Sequence, residues 1–117
     1  MTSSGGRMRR VDEAVREVIG DAVTGISDPR LGFVTITEVS TSPDLRHARV
    51  FVSVLSAAED REQSLTALRS ASGLLQGRIA AELRLKRTPT LEFVLDQTAD
   101  RAARLEGLIS AEAARDD

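Results

Sequence analysis

Cysteine, tryptophan and tyrosine are absent from this 117-residue chain, and there is one histidine. Without thiols, a disulfide scaffold, a thiolate zinc site and a cysteine nucleophile are excluded. A single His47 excludes a multi-histidine metal centre and a histidine-rich pH switch. The only aromatic residues are Phe33, Phe51 and Phe93. No apolar run approaches the ~20 residues that span a bilayer. The opening Met-Thr-Ser-Ser-Gly-Gly-Arg has no hydrophobic signal region, so a cytoplasmic protein without membrane association is expected.

What is present suits one globular domain: 41% hydrophobic residues against 29% charged. The net charge is −2, which argues against a general nucleic-acid glue, but its distribution is uneven. Arg78, Arg84, Lys86 and Arg87 face only Glu82 between residues 78 and 87. The stretch 92–117 is acidic. The chain is therefore polarised, with a basic segment ahead of an acidic tail.

Residues 1–6 are small and polar and are expected to be disordered. From Arg9 a helical period begins, with Val11, Val15, Val18, Ile19, Ala22 and Val23 on one face. Ser27-Asp28-Pro29 ends it. Residues 33–39 are β-branched and read as a strand. After Thr41-Ser42-Pro43-Asp44-Leu45, a turn, residues 47–55 alternate strictly. Ala48, Val50, Val52 and Val54 take one face, and Arg49, Phe51, Ser53 and Leu55 the other. The two strands read as an antiparallel pair.

Helical period returns near residue 58, where Ser56 and Glu59 suggest a capping box. It continues through Leu65, Leu68, Leu75, Ile79 and Leu83. Gly73 and Gly77 interrupt it: either the helix breaks there or another backbone packs close. Residues 91–95 form a third strand. Thr98 begins a last helix with Ala102, Leu105, Leu108 and Ile109 on its apolar stripe. The order is helix, strand, strand, helix, break, helix, strand, helix, an α+β layer around one core.

Catalysis finds no support. His47 has no serine or cysteine motif beside it, and there is no Gly-x-Ser-x-Gly. Asp28 and Asp44 sit beside prolines, where carboxylates bond to local backbone rather than transfer protons. The Gly73–Gly77 spacing lacks the Lys-Ser/Thr ending of a phosphate loop. No catalytic residue, metal or cofactor is assigned. A binding surface is the stronger reading: Arg78, Arg84, Lys86 and Arg87, with Arg7, Arg9 and Arg10 leading into the first helix, can neutralise phosphates.

Four separated signatures then carry a resemblance. They are Arg10-Val11 with Ser27-Asp28-Pro29-Arg30-Leu31; Val34 to Val39 followed by Pro43 to Val52; Ala71-Ser72-Gly73 before Leu74-Leu75; and Leu85 to Phe93 followed by Asp96. In this order the chain resembles the ribosome-binding factor A family of bacterial small-subunit assembly factors. The resemblance implies an α+β, type II KH-like fold (α-β-β-α-kink-α-β) with an added C-terminal helix. Its divisions would be a disordered 1–6, a KH-like domain 7–96, and a C-terminal helix and frayed tail 97–117. It places the kink at Ala71-Ser72-Gly73. No Gly-x-x-Gly loop is present there, so contact through the usual KH groove is not what this sequence implies.

The resemblance further implies a non-enzymatic monomer that binds free or immature 30S subunits. It would support maturation of 16S ribosomal RNA at the subunit neck, and a ribosome-associated GTPase would assist release. The RNA-binding residues it implies, joined to the cation reading, are Arg7, Arg9, Arg10, Ser72, Gly73, Arg78, Arg84, Lys86 and Arg87. The alternative is a KH-like protein-interaction module without direct RNA binding, acting through the Arg49/Phe51 strand face or the acidic tail.

Overall fold

The computed structural model describes residues 3–55 and 58–96. Six elements follow one another: α1 (Ser3–Val23), β1 (Val34–Thr41), β2 (His47–Val54), α2 (Ala58–Ser70), α3 (Ser72–Glu82) and β3 (Thr90–Leu95). The sheet order is β1-β2-β3. β1 and β2 are antiparallel, with Val34 opposite Val54 and Thr41 opposite Ala48; β3 runs parallel to β2, with Val50 opposite Phe93. This is the α-β-β-α-kink-α-β order of the type II KH-like fold. The expected last helix and the Ser56 capping position lie outside the described residues. Among the described residues no helix is long and apolar enough to cross a membrane.

One face of the sheet is covered by helices. The strict alternation of β2 buries Ala48, Val50, Val52 and Val54. Phe93 of β3 and Ile36 and Val39 of β1 join them, with Val15, Val18, Ile19, Leu68, Leu75 and Ile79 from the helices. Ile36 and Val39 both face inward although three apart, because the pairing register shifts between Ile36 and Glu38. The extra residue, Thr37, turns the strand by one position. Val52 is wholly buried on the central strand, so truncating it to alanine removes about 1–2.5 kcal/mol of transfer and cavity energy.

Two expectations are corrected, and the kink falls where it was expected. Residues 3–6, read as disordered, prolong α1: once a helix is nucleated, each added residue gains a backbone hydrogen bond. The interruption near the glycines is a true break, centred on Ala71 (φ −90°, ψ 3°). The Ala71 N–H donates to both Ala67 and Leu68 carbonyls, closing α2. The other option, a backbone packed against the glycines, is not realised, since a Cβ at Gly73 or Gly77 would meet nothing within 4 Å.

The second correction concerns the end of α3. Helical period extends through Leu83, yet the helix stops at Glu82 and Leu83 is extended (φ −116°, ψ 142°). The reason is a competing period. Leu83-Arg84-Leu85-Lys86 alternates apolar and charged, and Leu83 and Leu85 both pack against the core while Arg84 and Lys86 are exposed. On a helix, positions 84 and 86 would point to opposite sides; on extended backbone they share one.

Candidate nucleic-acid interface

The segment that carries Arg84, Lys86 and Arg87 is firmly seated. Pro89, just beyond it, is fully buried. The Gln76 side-chain amide, from α3, donates to the Pro89 carbonyl at 2.9 Å. Thr90 N–H donates to the Arg46 carbonyl at 2.8 Å, tying the segment to the loop between β1 and β2. With both leucines directed inward, the cations have one direction left, into solvent.

That loop is itself over-determined. Leu45 N–H donates to the Ser42 carbonyl, Ser42 N–H to the His47 carbonyl, and His47 N–H to Ser42 Oγ. Asp44 Oδ1 accepts from Ser42 Oγ and from the Arg46 N–H. The Ser42 hydroxyl first, and then the Arg46 amide, hold the Asp44 carboxyl below its ordinary pKa. Asp28 behaves alike: the Arg30 guanidinium, then the Arg30 amide, lower its pKa to about 2. Both aspartates thus serve their turns, as expected. The loop also holds Leu45 at φ 61°. A bulky side chain in the left-handed region costs about 1–3 kcal/mol and persists only where surroundings impose it.

The third contributor is α1. Asp12 Oδ1 accepts the Thr41 N–H at 2.8 Å, pinning the first half of the helix beside the same loop. Arg7, Met8 and Val11 then share a helix face by their spacing of three and four. They line a cleft of about 520 Å³ together with Pro43 and Leu45. Its remaining walls are Arg84, Leu85 and Lys86. The floor residues Met8, Val11, Leu45 and Leu85 are half-buried, while Arg7, Arg84 and Lys86 are exposed at the rim. Among the described residues no carboxylate lines the cleft.

Free charge is concentrated here. Several arginines elsewhere are matched: Arg30 with Asp28, Arg46 with Asp44, Arg49 with Glu92, and Arg16 with Glu13. Arg78 touches two acids, Glu82 at 2.6 Å and Asp21 of α1 at 3.0 Å. By contrast Arg7, Arg9, Arg10, Arg84, Lys86 and Arg87, with Arg69 of α2, join no ion pair among the described residues.

The residues singled out on sequence therefore divide. Arg7, Arg84 and Lys86 converge on one cleft, with Arg87 next along the chain. Arg9 turns to another side of α1, in a shallower depression shared with Asp12, Glu13 and Glu38. Arg10 is exposed outside both. Arg78 is neutralised locally. Ser72 and Gly73 begin α3 whereas Arg84 follows its end, a helix length of about 16 Å apart. The kink and the basic segment thus lie at opposite ends of α3. Pro43, Leu45 and Met8 were not singled out; only the Pro43-Asp44-Leu45 turn hinted at them.

Known proteins are similar to this chain in sequence and fold. The sequence profile described as ribosome-binding factor A matches residues 7–109. Ribosome-binding factor A from Rubrobacter xylanophilus is 45% identical over 104 residues, covering 88% of this chain and 84% of that one. The crystal structure of ribosome-binding factor A from Thermus thermophilus superposes with a TM-score of 0.68 at 26% identity, over 75% of this chain and 94% of that one. A Thermus thermophilus ribosome binding factor A homology model, fitted into a cryo-electron microscopy map of its complex with 30S, gives a TM-score of 0.62 at 27% identity. It covers 73% of this chain and 90% of that one. With sequence agreement across nearly all of the chain and the same fold beneath it, this chain belongs to the ribosome-binding factor A family.

Proposed function

We propose that this chain is a small-subunit assembly factor: it binds free or immature 30S subunits in the cytoplasm and supports maturation of 16S ribosomal RNA. It does so by binding rather than by catalysis. The observation that carries the reading is the convergence of Arg7, Arg84 and Lys86 on one cleft, none of them in an ion pair and with no carboxylate lining the cleft among the described residues. Such a cluster gives an acidic protein a place from which to approach a phosphate backbone. Family membership and the 30S complex of the Thermus thermophilus relative support the same reading.

In this reading Arg7, Arg84, Lys86 and Arg87 contact phosphates, and Arg10 flanks them. Ser72 and Gly73 offer a second contact where no Cβ of residue 73 stands in the way. Phosphate contacts position the protein without reading sequence. The contact lies at the subunit neck, the protein acts as a monomer, and a ribosome-associated GTPase assists its release. The test is co-sedimentation with isolated 30S subunits across a salt series. Binding should weaken steeply with salt, and Arg84→Glu with Lys86→Glu should abolish it while circular dichroism stays native. A folded double variant that co-sediments with unchanged salt dependence overturns this surface.

A further inference from the structure

We infer that the cleft between α1, the β1–β2 loop and the α3–β3 segment receives an unstacked base of single-stranded RNA, with the flanking phosphates on Arg7, Arg84 and Lys86. The inference rests on the proposed reading that these cations meet RNA, and adds what lies between them. A rim of cations alone would serve any phosphate backbone, duplex or single strand. The floor is different: Met8, Val11, Leu45 and Leu85 are half-buried and apolar. A duplex keeps its bases stacked inside and has nothing to place on such a floor. A single strand can splay a base out, and apolar surface is the partner an unstacked base face seeks.

Size and charge agree. The cleft, about 520 Å³, falls within the ~300–1,000 Å³ that small-ligand sites occupy. It suits one nucleotide and is too small for a helix of any kind. Among the described residues its lining holds three cations and no acid, which complements a base carried between two phosphates. The floor offers no side-chain amide or carboxylate to read a base edge, so the site accepts bases with little preference among them. Leu45 is the residue whose conformation matters most. Its left-handed backbone (φ 61°) is held by the loop's hydrogen bonds, and its side chain forms part of the floor.

The full chain is titrated with a short labelled oligouridylate and with an abasic ribose-phosphate oligomer of equal length and charge. The base-bearing oligomer should bind about tenfold more tightly, the lower part of what one base contact contributes, because no aromatic ring lines the floor. Leu45→Gly, which keeps the positive φ at no steric cost, and Met8→Ser should each reduce that preference, read as the ratio of the two affinities. Equal binding of the two oligomers by the native chain overturns base insertion and leaves the phosphate reading standing. Failure of both to bind overturns the two together. A folded Leu45→Gly, Met8→Ser protein that keeps the full preference also overturns it, as does a polyglutamate peptide that competes as well as the oligouridylate.

Discussion

Two groups of cations divide this surface. Arg30, Arg46, Arg49 and Arg78 each touch a carboxylate, whereas Arg7, Arg84, Lys86 and Arg87 touch none among the described residues. The matched arginines owe their partners to local geometry: an acid two residues back in a turn, four along a helix, or directly across a strand pair. The unmatched ones stand where the backbone offers no such neighbour. Arg84 and Lys86 alternate with leucines that face the core, and Arg7 looks across from another element. A net charge of −2 thus averages over matched arginines and a cluster of unmatched cations at the cleft.

The largest expected effect contrasts the groups directly. Reversing Arg7, Arg84 and Lys86 to glutamate should lower 30S affinity by at least about a hundredfold and reduce the slope of log K against log salt by about three. Reversing Arg46 and Arg49 should change neither by more than about twofold. Equal losses in equilibrium sedimentation would erase the distinction between the groups.

The next test moves a residue from one group to the other. Asp21→Asn with Glu82→Gln leaves Arg78 without its partners. If matching is what silences it, RNA affinity should rise several-fold at low salt and the gain should vanish at high salt. No gain would mean that the position of Arg78, rather than its pairing, keeps it out of the interface.

Gly77 separates stability from contact. It lies inside α3, is exposed, and a Cβ there meets nothing. Gly77→Ala should stabilise the fold by about 0.5–1 kcal/mol in urea unfolding, through helix propensity and a more restricted unfolded chain. With Gly73→Ala, a stabilised protein that nevertheless binds subunits more weakly would place α3's outer face in the contact.

The smallest effect belongs to a matched pair in acid. The Arg30 guanidinium lowers the Asp28 pKa from 3.8 to about 2. A depressed carboxylate contributes stability above its unfolded pKa and loses it as pH falls through the folded value. Native protein should therefore lose a small increment between about pH 4 and pH 2, and Asp28→Asn should lack that increment. A variant that tracks the native curve through this window would show the pair to be energetically silent.

Much of the fold was legible because buried faces impose periods. The 2-residue period of β2 and the 3.6-residue period of α1 are uninterrupted, and Val15, Val18, Ile19, Val50, Val52, Leu68, Leu75 and Ile79 are buried together as that pattern implies. Legibility failed where two periods overlapped. Leu83 satisfies both the helical stripe and the extended alternation that follows, and tertiary packing of Leu85 favours the second. The bulge at Thr37 was equally hidden, since either facing of residues 37–39 leaves a plausible strand. In the site, the cations were visible as a charge excess, but their pairing was not: nothing in the sequence relates Asp21 to Arg78, or Arg7 to Lys86. Leu45 was the least legible, because glycine or asparagine is what a left-handed turn position ordinarily carries.

The lining of the cleft is drawn from three stretches of chain that are distant in sequence, and it exists only when they are folded together. Whatever occupies it binds the native state and has no counterpart in the unfolded one. Occupancy is therefore linked to folding: at a hundredfold excess over its dissociation constant a ligand adds about 2.7 kcal/mol to stability. That increment is felt most by the first turns of α1, which are tethered near Asp12 but little covered before it. Amide hydrogens of residues 7–11 should exchange more slowly in the bound protein than in the free one. On that expectation, the beginning of α1 is a latch whose amide protection reports whether the cleft is occupied.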